Sequence, residues 1–333
     1  MIETRFKALW VERTPEGGVS RAVKEIGLDD LPAGDVLVRV AYSSLNYKDA
    51  LSASGRYGVT RRYPHIPGID AAGVVVESRS AEFKPGDGVI LGVGEFGANH
   101  FGGFAGYARV PAEWVTPLPA GLSLREAAIY GVAGFTAALC VERLIAHGLR
   151  PDDGEVLVTG ASGGVGLFAV AFLSRSGYRV AAATGKQEAA ELLTDLGAAR
   201  VIPRTEVDDA SGKGLLSARW AGGVDTLGGN YLATMLKSIQ YGGAVAACGN
   251  AASPHLEVSV YPFILRGVTL YGVDTAQVPG EQRRAVWSRL AGEWKLAGME
   301  RLTREVSLEE LEEEIERSLA GSRVARVVVK LWP

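Results

Sequence analysis

The chain has 333 residues, 47% of them apolar and 22% charged, with a formal net charge of −3. That length holds two domains with cores of their own, and the charge balance disfavours a broad basic face for nucleic acid or a membrane surface. The two cysteines, Cys140 and Cys248, sit in apolar runs and read as small buried hydrophobes rather than as catalytic thiols.

In chain order, residues 1–130 read as β-rich. Strands are predicted at 6–11, 35–40, 73–77, 89–92, 106–110 and 114–115, punctuated by turns such as Leu31-Pro32-Ala33-Gly34 and Lys84-Pro85-Gly86-Asp87. Short strands with Pro/Gly punctuation predict a barrel-like domain. No stretch reaches eighteen uninterrupted apolar residues, so no membrane span is expected. The first fourteen residues lack the apolar core of a secretory signal, and a cytoplasmic location is expected. Ser123 followed by Glu126 predicts a capped helix start, and residues 131–147 read as a long helix.

Residues 155–166, EVLVTGASGGVG, are the most informative stretch. An apolar strand at 155–159 runs into Gly160-Ala161-Ser162-Gly163-Gly164-Val165-Gly166, and an apolar helix at 167–176 follows. Strand, glycine turn and helix in that order predict a site for a dinucleotide pyrophosphate. Glycines let the backbone approach the phosphates, and the helix start offers free N–H groups and a positive dipole end. The next strand, 178–184, ends in Thr184-Gly185-Lys186, where an NAD site has an acid about twenty residues past the turn. A hydroxyl, a glycine and a cation suit a 2′-phosphate, and Arg204, after a third strand at 200–202, adds a second cation. NADPH is therefore the expected cofactor.

Helices at 188–196 and 231–240 and strands at 224–227 (after Ala221-Gly222-Gly223), 244–248 and 268–272 complete a six-stranded doubly wound pattern. Helices at 283–296 and 308–319 and a strand at 326–331 follow, with Ser307 and Glu310 as a capping box. The expected division is 1–130, 131–284 and 285–333. The last segment is too short for its own core and is expected to return to the first domain. The active site is then expected in the cleft between domains, at the carboxyl ends of the nucleotide-domain strands.

The stretches SSLNYKDAL (43–51), PGIDAAGVV (67–75), GFTAALCV (134–141), VTGASGGVG (158–166) and PFILRGVTLYGVD (262–274) resemble the medium-chain dehydrogenase/reductase superfamily. They are most similar to its NADPH-dependent acryloyl-CoA reductase branch, whose members are often labelled quinone oxidoreductases. The resemblance implies an α/β chain with a GroES-like barrel and a Rossmann domain. Zinc members carry Gly-His-Glu where this chain has Gly68-Ile69-Asp70, and Ile69 offers no ligand, so no catalytic metal is expected. Without a Lewis acid, reduction of a C=C bond conjugated to a carbonyl is easier to support than reduction of an isolated carbonyl.

The resemblance implies Tyr47 beside the nicotinamide. Asn46 and Tyr47 are the candidate donors to the enolate oxygen, with turn-capping by Asn46 and packing by Tyr47 as the plainer alternative. It also implies Ser162, Gly163, Gly164 and Val165 at the pyrophosphate, and Thr184, Gly185, Lys186 and Arg204 at the adenosine phosphate. Asn250, Ile264 and Thr275 would meet the nicotinamide half. Arg61, Arg62 and Arg326 are candidate cations for a CoA thioester, Arg326 reading equally as a surface arginine. The expected substrate is a small molecule, acryloyl-CoA first and a quinone second; a non-catalytic NADPH-binding protein is the remaining alternative. An edge strand at 268–272 predicts a two-fold homodimer.

Overall fold

The computed structural model describes residues 4–332. They form two compact units, one of residues 4–132 with 275–332 and the other, Ala133–Asp274, between these in sequence. The return begins at Thr275, ahead of the predicted 285, because helix Gly280–Ala291 packs with the first unit: Arg283 Nη2 donates to the Glu113 carbonyl at 2.6 Å.

The first unit holds a hairpin, Arg5–Arg13 with Val19–Gly27, and a seven-stranded sheet. That sheet runs Thr303–Val306, Arg326–Lys330, Val36–Ser44, Ala71–Ser78, Gly88–Leu91, Val115–Pro117, with Tyr107–Val110 also paired to Val36–Ser44. The C-terminal segment is therefore part of the sheet: Val328 registers with Ser44 and Val329 with Ser43. Apolar side chains cover both faces, one cluster around Leu37, Leu45, Phe104 and Val329 and another around Val38, Val75 and Val89. The strand Val19–Gly27 escapes sequence reading because most of its residues are polar or half-exposed.

The second unit is a six-stranded sheet, every neighbouring pair parallel, in the order Arg200–Pro203, Arg179–Thr184, Glu155–Thr159, Trp220–Asp225, Ile239–Ala247, Thr269–Gly272. This is the doubly wound order, with its switch point after the first strand. One strand differs from expectation. Gly222-Gly223 lies inside strand Trp220–Asp225 rather than ahead of a strand at 224–227. A Cβ on Gly223 would stand 2.3 Å from the Met235 sulfur, and one on Gly222 would stand 2.9 Å from Leu149 Cδ2. These glycines serve close packing onto the strand, not chain reversal.

Helix Leu124–His147 is long and apolar enough to cross a bilayer by composition, although it lacks an unbroken apolar run. It is a core helix instead, with 78% of its most apolar window buried. It also breaks at Gly131, whose φ of 50° and ψ of −155° are not helical.

Candidate active site

Each unit holds its own set of candidate functional side chains. In the first unit, strand Val36–Ser44 ends in polar residues, Ser43 and Ser44, that are fully buried. Asn46 follows as the N-cap of helix Tyr47–Ala53, whose third residue, Asp49, accepts the Asn46 N–H at 2.8 Å. Asp49 is completely buried, and its other oxygen accepts the N–H groups of Gly68 at 3.1 Å and Ile69 at 2.7 Å. Burial first, and then the Asp70 carboxylate, push the Asp49 carboxyl up to about 7.

Asp70 is the centre of this network. Its carboxylate accepts the Ser44 N–H and hydroxyl, the Asn46 side-chain amide at 2.9 Å and the Val132 N–H at 2.9 Å. The last bond exists because the helix breaks at Gly131, which releases the next N–H from the helical ladder. Arg326, 1% exposed, closes the network: Nη1 donates to Asn46 Oδ1 at 3.2 Å, Nη2 to Ser44 Oγ at 2.5 Å, and Nε to the Ile129 carbonyl at 3.0 Å. Its guanidinium is held below its ordinary range by burial, opposed by Asp70 and Asp49.

Two expectations are corrected here. The Asn46 amide points at the Ser44 carbonyl, Asp49 and Asp70, and its oxygen accepts from Arg326. All its hydrogen-bonding groups face the protein, so Asn46 positions its neighbour rather than meeting a substrate oxygen. Arg326 is buried and cannot meet a CoA phosphate. Tyr47, the next residue, is half-buried, and no protein group among the described residues bonds its hydroxyl. A rigid buried network thus ends in one phenol that is free to donate.

In the second unit the glycine turn folds as its spacing requires. A Cβ on Gly166 would fall 2.3 Å from the Gly160 carbonyl, and one on Gly160 would fall 2.2 Å from Thr226 Oγ1. Only glycine allows this closeness of turn, strand and helix. Gly163 is the N-cap of helix Gly164–Arg175 and carries no side-chain cap. The first-turn N–H groups of a helix have no partner within it, and Gly163, Gly164 and Val165 are half-exposed there. The Ser162 and Thr184 hydroxyls meet at 2.9 Å, and Thr184 Oγ1 accepts the Lys186 N–H at 3.1 Å. Arg204 lies over Gly185: a Cβ there would stand 2.9 Å from Arg204 Cδ and 3.0 Å from its Nε. Residues 162–165, 184–186 and 204 therefore form one cradle at the carboxyl ends of three neighbouring strands. Its glycine turn, uncapped helix start and paired cations fit a phosphorylated dinucleotide.

Asn250 is exposed at the carboxyl edge of the same sheet, beside Gly228, and Thr275 follows the carboxyl end of Thr269–Gly272. Ile264 is not brought to this edge. It is 68% exposed on helix Tyr261–Arg266, which leads into the amino end of the last strand. Arg266 ties that helix to the carbonyls of Lys237 and Ile239, where the preceding strand begins.

The thiol of Cys140 is pushed up by its hydrogen bond with Cys248 and by burial, which does not suit a nucleophile. His65 is buried, its Nε2 3.1 Å from the Gly97 carbonyl, and its imidazole is pushed down to about 4 by burial. Among the described residues no group of three or more His, Cys, Asp or Glu is placed to hold a metal. Sequence reasoning misses Ser44, Gly131 and the role of Asp70 at the centre of the network. The available signal is the polar pair Ser43-Ser44 closing the otherwise largely apolar strand Val36–Ser44.

Two family models match the chain: the alcohol dehydrogenase GroES-like domain over residues 32–120 and the zinc-binding dehydrogenase over residues 164–292. The chain is 47% identical to a putative quinone oxidoreductase, YhfP, of Bacillus subtilis, over 99% of this chain and all of that one. It is 45% identical to the acrylyl-CoA reductase AcuI of Ruegeria pomeroyi, over 97% of this chain and 98% of that one. Among solved structures, the yhdH oxidoreductase of Salmonella enterica in complex with NADP superposes with a TM-score of 0.95 at 44% identity, covering 98% of this chain and 100% of that one. Bacillus subtilis yhfP with NAD bound superposes with a TM-score of 0.94 at 48% identity, covering 99% and 100%.

Proposed function

We propose that this chain, which belongs to the medium-chain dehydrogenase/reductase superfamily, reduces a C=C bond conjugated to a carbonyl with NADPH, acryloyl-CoA to propionyl-CoA being the preferred reaction. The observation that carries this reading is the pairing of two arrangements. One is a cradle with Lys186 and Arg204, rather than an acid, at the end of strand Arg179–Thr184. The other is a single unengaged phenol, Tyr47, on a buried polar scaffold. The names of relatives at 44–47% identity divide between acrylyl-CoA reductase and quinone oxidoreductase.

The cofactor supplies a hydride when bound. Residues 162–165 hold its pyrophosphate, and Thr184, Lys186 and Arg204 hold the adenosine phosphate. One relative is crystallised with NAD, but the cations of this chain favour the 2′-phosphate. As charge develops on the substrate carbonyl oxygen, the Tyr47 hydroxyl donates to it or protonates the α-carbon of the enolate. Asn46, Asp49, Asp70 and Arg326 hold Tyr47 in place. The reading needs no zinc: Ile69 offers no ligand, and Asp70 is committed to five donor contacts.

A second reading, reduction of a quinone, is favoured by the name of YhfP. Steady-state turnover with NADPH against acryloyl-CoA, crotonyl-CoA and a quinone separates the two. A higher kcat/KM for the quinone than for either thioester would overturn the first.

The same reading includes a two-fold dimer. Strand Thr269–Gly272 is an edge of its sheet, and Val260, Tyr261, Ile264 and Leu265 beside it are 49–68% exposed. An open edge next to an apolar patch suits pairing with a second copy. Light scattering at micromolar concentration tests it, a monomer being the contrary result.

A further inference from the structure

The loop after helix Tyr47–Ala53 is exposed and cationic. Arg56, Arg61 and Arg62 are all exposed, as is Lys48 on the helix itself. Among the described residues the side chains of Arg56, Arg62 and Lys48 have no hydrogen bond or ion pair. Arg61 stands 3.5 Å from Glu95, but both side chains are more than half exposed, a geometry worth little in water. Elsewhere the chain matches cations with carboxylates: Arg21 faces Glu312 and Glu316, and Arg317 faces Glu313 and Glu314. In a chain of net charge −3, this loop gathers three exposed arginines against a single carboxylate among the described residues, Glu95.

Tyr57 lies among them. It is 82% exposed and has a φ of 56°, in the left-handed region that a bulky residue avoids. Gly55 and Gly58 on either side have φ of 66° and 63°, so the turn is built around this ring. A large aromatic held out in water by a strained backbone has no role in packing, and such strain clusters where ligands bind. Helix Tyr47–Ala53 has seven residues and rises about 10 Å. The loop therefore lies at the far end of a short helix whose first residue is Tyr47.

We propose that Arg56, Arg61 and Arg62 bind the phosphates of the nucleotide tail of a CoA thioester, with the Tyr57 ring against its adenine. The proposal rests on the enoyl-thioester reading above. Guanidinium forks match phosphate oxygens, and an aromatic face stacks on a base. A quinone has neither group, so the loop selects between the two acceptor classes. The adenosine phosphate of NADPH has its own cations, Lys186 and Arg204, in the other unit.

The test uses the full chain with acryloyl-CoA, acryloyl-pantetheine (the same acyl arm without phosphates) and a small quinone. The reading is the ratio of kcat/KM for the CoA thioester to that for the pantetheine thioester. The wild-type chain should prefer the CoA form, and the preference should shrink as salt rises. Arg56→Glu/Arg62→Glu should reduce the ratio roughly ten-fold through KM, the loss of two exposed charge contacts, without moving the KM for NADPH. Tyr57→Gly should lower the ratio while raising the melting temperature, because the strain is relieved. Equal use of both thioesters by the wild type, or an unchanged ratio in the double variant, overturns the proposal. Reduction of the quinone alone, with neither thioester turned over, refutes the enoyl reading itself and is a distinguishable result.

Discussion

Arg326 donates to the side-chain oxygen of Asn46 at 3.2 Å across 280 positions of sequence. The last strand of the chain thereby completes the polar scaffold beneath Tyr47. It reaches that place because Arg326–Lys330 adds to the sheet next to Val36–Ser44. Removing one member of a buried charge network strands the others. Arg326→Met should therefore cost about 3–5 kcal/mol of stability. Adding Asp70→Asn should cost less than the sum of the single changes, because the orphaned carboxylate is then neutral. Urea unfolding of the four proteins in this cycle gives the coupling, and strict additivity would contradict the network.

Gly131 makes a second structural prediction. A Cβ there would stand 2.5 Å from Asp70 Oδ2 and 2.6 Å from Ser44 Oγ, on a backbone with φ of 50°. Gly131→Ala should destabilise by about 2–4 kcal/mol, from left-handed strain and loss of the Val132–Asp70 bond. It should also lower turnover, because the scaffold shifts. A near-wild-type melting temperature would show that the helix break is not needed.

Asp49 makes stability depend on pH. Its carboxyl rises from 3.8 to about 7 on folding, so the folded chain binds the proton more tightly. This contribution is fully present below about pH 4 and is lost as pH rises through 7. The limiting slope is about 1.4 kcal/mol per pH unit for one proton. Asp70, Arg326 and Arg323 are the charges that act with it. Asp49→Asn removes the titration, so wild-type stability relative to this variant should fall between pH 5 and pH 7 in denaturant titrations. A difference that does not vary with pH refutes the assignment.

For the cofactor, Lys186→Ala should weaken NADPH by about 1–3 kcal/mol, the range for a hydrogen bond to a charged group. NADH binding should barely change. Fluorescence titration of both cofactors checks this, and equal losses for the two would remove Lys186 from the 2′-phosphate site.

For the chemistry, Tyr47→Phe should lower kcat for acryloyl-CoA by about 10²–10⁴-fold, the contribution of a positioned acid–base group, while NADPH titrates almost as before. Asn46→Ala is the paired variant. It leaves the phenol in place but removes its support, so it should lower stability and turnover together. If Tyr47→Phe keeps a near-normal kcat, the α-carbon proton comes from another source.

The nucleotide cradle was legible in the sequence because its determinants are local. Strand Glu155–Thr159, the glycines at 160, 163 and 166, and the helix after them fold through their own backbone requirements. Lys186 and Arg204 follow directly from the ends of the next two strands. Repetition of strand and helix likewise announced the doubly wound sheet, and both capping boxes formed as spaced, Ser123 with Glu126 and Ser307 with Glu310.

Tertiary structure alone decided where buried polar groups found their partners. Nothing near Arg326 in sequence says that it is buried against Ser44 and Asn46. The Asn46 cap on Asp49 is local, but nothing near Asn46 says that its amide also meets Asp70 and that its oxygen accepts from Arg326. Gly222-Gly223 reads as lying ahead of the strand until Leu149 and Met235 are placed on it. Ile264 joins the nicotinamide contacts by motif, yet lies toward the amino edge of the sheet. Periodicity and turn chemistry act over a few residues, and the sequence determined what they govern. The partner of a desolvated polar group depends on which distant strand pairs beside it, and only the assembled sheet decides that.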